Sequence, residues 1–152
     1  MMRWFAPILL IVILSTACGT AVDCPVTAPN GETPPGEVAS PYHFGNGEIF
    51  TALWPQGEIV FFQEGPGEIR PDGSLAIKFP WWRGEGVKGE IEVSGRRLDR
   101  PGRGVTAEMP SGYPDTGFRP SALVFPSEGC WEVTARVGEA ELTFIVNAIK
   151  GG

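Results

Sequence analysis

Apolar and polar residues alternate most regularly in the stretch Phe125–Ile149. From Trp131 onward, Trp131, Val133, Ala135 and Val137 interleave with Glu132, Thr134 and Arg136. A period of two puts the two sets on opposite faces of a half-buried strand. Gly138-Glu139-Ala140-Glu141 breaks the alternation, and Leu142–Val146 follows as a more apolar run. Two such runs joined by a short Gly-containing connection predict a β-hairpin.

Upstream, Gly-Glu-Ile recurs from Gly47, Gly57, Gly67 and Gly89, the first three at ten-residue spacing. One strand plus one turn fills that spacing, so the phrase marks a meander; solenoid repeats are longer. Short apolar and β-branched runs predict strands over Ile49–Trp54, Ile59–Gln63, Leu75–Phe79, Lys88–Ser94, Val105–Glu108 (weak), Ala122–Phe125, Trp131–Val137 and Leu142–Ile149. Trp54-Pro-Gln-Gly57, Glu64-Gly-Pro-Gly67 and Arg70-Pro-Asp-Gly73 mark turns. In the last, proline presets φ at the second turn position and Asp-Gly follows. No segment sustains a 3.6-residue apolar period. The pattern predicts an all-β fold, an immunoglobulin-like antiparallel β-sandwich of about seven or eight strands.

Composition refines this picture. The chain of 152 residues suffices for one domain with an ordinary core. Its 21 glycines and 15 prolines punctuate strand-like runs, which separates it from a disordered chain. Gly19–Ser40 has no apolar periodicity and clusters Pro34-Pro35-Gly36, the composition of a semi-extended linker. The folded domain is expected over residues 41–150.

The N-terminus carries a different signal. Arg3 is followed by the apolar run Trp4–Leu14, far short of the ~20 residues that a transmembrane helix needs. Ser15-Thr16-Ala17 are small, and Cys18 follows. This resembles a bacterial lipoprotein signal, although that pattern prefers leucine where Ser15 stands. The resemblance implies that residues 1–17 are removed, that Cys18 carries the lipid, and that the membrane is a partner through that lipid. Residues 18–40 would then be a lipid-anchored spacer holding the domain off the bilayer. Localisation would be extracytoplasmic, at the bacterial cell membrane or at an outer membrane if the cell has one. The alternative is an ordinary secretory signal cut near Ala17.

With Cys18 acylated, Cys24 and Cys130 remain, and an oxidising compartment favours one disulfide between them. The chain-entropy model gives such a long loop on the order of 4–5 kcal/mol. The alternative is a buried thiol beside a free one. The net charge is −6, and removal of the signal, whose one charged side chain is Arg3, makes it one unit more negative. An acidic domain does not hold nucleic acid or an anionic membrane through bulk electrostatics.

Phe125-Pro-x-x-Gly-Cys-Trp-Glu-Val-Thr-x-Arg-Val-Gly138, followed by Leu142-Thr-Phe144, resembles the C-terminal segment of a group of uncharacterised bacterial exported proteins and lipoproteins. Leu53-Trp54-Pro55, Lys78-Phe-Pro-Trp-Trp-Arg83 and Gly95-Arg-Arg-Leu98 are similar to the same group. The resemblance implies export and a β-sandwich, and no activity. Gly129-Cys-Trp-Glu-Val is also similar to the penultimate strand of immunoglobulin-like domains, without their second core cysteine.

Few residues offer chemistry. Asp115-Thr116-Gly117 matches the aspartic-protease triplet, but that reaction needs two carboxylates sharing a proton and no second triplet exists. His43 is the only histidine, which excludes multi-histidine metal sites within one chain; its place in Tyr42-His43-Phe44 reads as structural. Neither Ser74, Ser94 nor Ser121 sits in a Gly-x-Ser-x-Gly elbow. Glu48, Glu58, Glu68, Glu85 and Glu90 fall at turn–strand junctions, where charge discourages edge aggregation. No cofactor is implied, and no enzyme activity is expected.

The candidate binding stretch is Phe79-Pro80-Trp81-Trp82-Arg83. Adjacent residues on a strand face opposite sides, so one tryptophan enters the core and the other meets the surface. An exposed Trp81 or Trp82 beside Arg83 would suit a sugar ring or a peptide. Gly95–Gly104 holds four arginines in an acidic chain and reads as a solvated loop, or as a contact for an acidic partner. The expected role is a binding or structural module of the cell envelope, with an envelope glycan or protein as partner.

Overall fold

The computed structural model describes Met1 and residues 23–152. Cys18, and with it the expected signal and lipidation, lies outside the described residues. Among the described residues the fold is all-β, with ten strands in two sheets. They are β1 (His43–Gly45), β2 (Ile49–Ala52), β3 (Glu58–Phe61), β4 (Gly67–Ile69), β5 (Leu75–Arg83), β6 (Glu92–Arg97), β7 (Thr106–Glu108), β8 (Phe118–Phe125), β9 (Gly129–Val137) and β10 (Ala140–Lys150). The first sheet has six strands in the order β1-β2-β5-β8-β7, with β4 also on β5. The second runs β3-β10-β9-β6.

The hairpin is as the alternation predicts. β9 and β10 pair antiparallel, Val137 opposite Ala140 through Gly129 opposite Ala148. Trp131, Val133 and Ala135 are fully buried between the sheets, with Phe144 and Val146 beside them. From β5, β8 and β2 come Ile77, Phe79, Trp81, Leu123, Phe125 and Ile49. Phe79 stacks on Phe144 across the sandwich at 5.6 Å. Burying this aromatic set, at ~25 cal/mol per Å² of apolar surface, is the main stabilising term.

Four features depart from expectation. β1 and β4 are three-residue strands with no apolar run to announce them. β6 begins at Glu92, because Lys88–Gly89 are drawn into a loop by the Lys88–Asp115 ion pair and the Gly89 N–H bond to the Asp115 carbonyl. β3 and β10 pair in parallel, so the second sheet is mixed. β5 and β8 run through prolines. Pro80 stands opposite Pro120. The Arg83 N–H donates to Gly117 O, and counting back in steps of two puts that proline pair at a position where the two strands exchange no hydrogen bonds. A proline there removes no bond between β5 and β8.

The sheets are also joined at both long edges. Val105 N–H donates to Gly95 O at 3.0 Å, linking β6 to the start of β7. A side chain on Gly95 would meet Val105 and the Glu132 carbonyl, so the approach needs glycine. On the other edge, Phe62 exchanges backbone bonds with Gly67 and Ile69. Long free strand edges are thereby reduced.

Residues 24–37 do not stand away from the sandwich. Cys24 is bonded to Cys130, closing a sequence separation of 106 residues. Thr27 N–H donates to Ile145 O at 2.9 Å, and Ile145 N–H donates to Thr27 Oγ1. These bonds occupy the half of β10 that β3 leaves open. The arm then crosses to the first sheet, where Asn30 and Gly31 bond the backbone of Gly45 and His43. What composition presents as a spacer is a clasp.

Candidate functional site

Trp81, Trp82 and Arg83 are placed very differently. Trp81 is 0% exposed, and its Nε1–H donates to the Ser121 hydroxyl at 2.9 Å. Arg83 is 2% exposed. Its guanidinium donates to the carbonyls of Gly89, Pro114, Thr116 and Gly117. Burial, and then the neighbouring Arg119 charge, pull its pKa below the ordinary arginine value. Neither residue can meet a ligand; Trp81 is core, and Arg83 orders the 114–117 loop. The Asp115-Thr116-Gly117 triplet belongs to that loop: its carbonyls hold Arg83, and its carboxylate pairs with Lys88 at 3.6 Å.

Trp82 reaches the outer face of the first sheet and is half-buried there. Its Nε1–H donates to the Glu37 carboxylate at 3.0 Å, so the arm covers its far edge. His43 packs edge-on against it at 5.7 Å, and its burial fits a structural role. On the other side Phe118 lies 5.4 Å away, Tyr113 is 6.4 Å beyond Phe118, and Arg119 sits over the Tyr113 ring at 5.6 Å. An aromatic row therefore runs across one end of the sheet. Tyr113 and Phe118 are each 42% exposed.

Beside this row the sheet is shallow, for a reason of topology. β2 pairs β5 only at Trp81–Arg83, and β4 pairs it only at Leu75–Ile77. Lys78–Pro80 have no strand partner on that side, and Trp54 fills the gap, 5.9 Å from Phe79. On the other side β7 reaches only Ala122. The outward side chains between are small or flat: Ala52, Ala76, Pro80, Pro120 and Ala122. The result is a trough. A cleft of about 670 Å³ lies toward Tyr113, Phe118 and Met109, and one of about 660 Å³ toward Tyr42 and Trp54. Both include Lys78 and Pro80. Tyr42 is 51% exposed on the second rim. Lys78 is exposed, and among the described residues no carboxylate lies within ion-pair distance of it. Glu108 and Glu68 on the rim are both held by Arg70, and that pairing puts the Glu108 carboxyl below its ordinary pKa.

Sequence reasoning did not assemble this trough. Tyr42, Trp54, Lys78, Tyr113 and Phe118 share no motif, and only strand register unites them. Parity did hold the answer for Trp81 and Arg83: continuing Ile77 and Phe79 through Pro80 puts both inward.

Two of the four arginines in the loop are engaged, and Arg100 and Arg103 are exposed. Arg97 is pinned by Asp99, Ser127 and the Glu128 carbonyl, and it lies 5.2 Å over Trp131. The Arg97 guanidinium holds the Asp99 carboxyl below the usual carboxylate range. Arg96 pairs with Glu132 at 2.7 Å. Among the described residues no group of three or more His, Cys, Asp or Glu is placed to hold a metal ion. Among them, too, no helix is long and apolar enough to cross a membrane. The chain matches no family model, no curated protein and no solved structure in the comparisons made with each.

Proposed function

We propose that this is a lipid-anchored extracytoplasmic β-sandwich, a binding or structural module of the bacterial cell envelope without catalysis of its own, and that it binds through the trough. One observation carries the reading: exposed aromatics and flat prolines are gathered on one face around an uncompensated lysine. The Cys24–Cys130 bond agrees with an oxidising location. Lipidation of Cys18 remains part of the proposal, as does membership of the exported group whose C-terminal phrase this chain resembles. So does an immunoglobulin-like character, which is supported by Gly129-Cys-Trp-Glu-Val entering the core as the penultimate strand.

The aromatic row favours one ligand class, an envelope glycan. Pyranose faces stack on exposed rings, and Tyr113, Phe118 and the outer edge of Trp82 offer them. The test is thermal shift and Trp fluorescence of the full chain with cell-wall oligosaccharides, beside Tyr113→Ala and Phe118→Ala. Binding raises stability by mass action. Saturable stabilisation that both variants lose supports recognition through the trough. No response to any oligosaccharide leaves a structural module or a protein-binding one, and a shift that both variants retain moves the site elsewhere.

A further inference from the structure

The arm decides how far the domain can travel from its anchor. Cys24 is fixed to Cys130. Along β9, Trp131 and Val133 point into the core, so Cys130 and Glu132 point outward from the second sheet. The chain therefore leaves the domain over the outer face of the second sheet. From Cys18 to Cys24 there are six peptide steps. Whatever path they take, they span at most about 20 Å.

That leash cannot turn the trough toward the bilayer. The path would have to reach a sheet edge, pass the roughly 10 Å between the sheets, and clear two layers of outward side chains. The face at which it emerges is suited to a lipid headgroup layer. It is polar: Arg96 pairs with Glu132 and Arg136 with Glu141, Thr134 bonds Thr143 at 2.9 Å, and Glu92 and Glu58 stand exposed on the same face.

Resting on the lipid-anchor reading, we infer that the outer face of the second sheet is the membrane-facing surface. It lies against the phospholipid headgroups, and the trough is presented away from the membrane. The test uses the full chain purified from membranes and returned to phospholipid vesicles, with full-chain Cys18→Ala as the soluble reference. Acylation of Cys18 is read by mass spectrometry. Carboxyl-directed labelling then reports Glu92, Glu132 and Glu141, and amine-directed labelling reports Lys78. The inference expects severalfold less labelling of the three glutamates on vesicles and no change at Lys78. Unchanged glutamates, or loss at Lys78, overturns the orientation while the anchor stands. A wild-type chain with no acyl group, as soluble as the Cys18→Ala variant, overturns the anchor reading and the orientation with it.

Discussion

On the first sheet the outward positions of β5 and β8 are Ala76, Lys78, Pro80, Trp82, Phe118, Pro120, Ala122 and Val124. On the second sheet those of β9 and β10 are Cys130, Glu132, Thr134, Arg136, Glu141, Thr143, Ile145, Asn147 and Ile149. Both faces come from one rule, side chains alternating along a strand, and both back onto the same core. The core fixes the inward residues and leaves the outward ones free. On the second sheet that freedom gives mostly hydroxyls and ion pairs, which water or headgroups solvate, with Ile145 and Ile149 half-buried among them. On the first it gives prolines, alanines and rings, which gain little from water. An apolar outward face with an exposed aromatic rim is how a binding surface is made.

The largest expected effect separates inward from outward. Trp81→Ala should lose about 3–5 kcal/mol, because it empties a fully buried site between Phe79 and Phe144. Phe118→Ala, on the outer rim, should lose about 1 kcal/mol or less. Urea unfolding of both variants checks this. Equal losses would mean that the outer face is packed as core, and the contrast between the faces would fall.

Next comes the clasp that holds the arm across both faces. Replacing Cys24 and Cys130 together by serine should cost about 2–4 kcal/mol. It should also loosen the Glu37 contact with Trp82, shifting Trp emission to the red under native conditions. Stability lost without any spectral change would show that the arm stays seated through Thr27 and Asn30 alone.

How much of this was legible depends on what each pattern encodes. β9 and β10 were readable because alternation there is two-sided, apolar inward and polar outward. β5 reads Leu-Ala-Ile-Lys-Phe-Pro-Trp-Trp-Arg, with both faces mostly apolar and a proline inside it. Its period is therefore faint, and the sequence pattern ends the strand at Phe79. For the same reason Pro120 makes β8 read as starting only at Ala122. The proline pair is harmless only because the two residues face one another, which is a fact of register that no single strand contains. Arg83 looked like a binding residue because charge usually means exposure. Four backbone carbonyls from distant loops make it a buried clamp instead, and nothing local announces them. The disulfide was legible by elimination; that it fastens an arm was not.

Acid should weaken both sides of the comparison, with a predictable sign. Asp99 is depressed by Arg97, Glu108 by Arg70, and Asp72 by hydrogen bonds from Ser74. A carboxyl whose folded pKa lies below its unfolded value of about 4 contributes stability that is present above that value. The contribution is lost as pH falls through the folded pKa. Unfolding free energy should therefore stay level from pH 7 to about 5 and decline below about 4. A decline already beginning near pH 6 would place the sensitive group elsewhere.

The smallest effect probes the polar face directly. Arg136 Nη2 and Glu141 Oε2 are 2.6 Å apart, with side chains 54% and 49% exposed. Water screens such a pair, and ordering two long side chains offsets part of the attraction. A double-mutant cycle with Arg136→Ala and Glu141→Ala should give a coupling of about 0.2–1 kcal/mol that shrinks in salt. Removing the headgroup layer should not raise it, since water and headgroups are both polar surroundings. A salt-insensitive coupling above about 2 kcal/mol in the soluble Cys18→Ala chain would mean that the pair is desolvated there. The second sheet would then already be covered in solution by another surface, and it would no longer be the face free to lie against lipid.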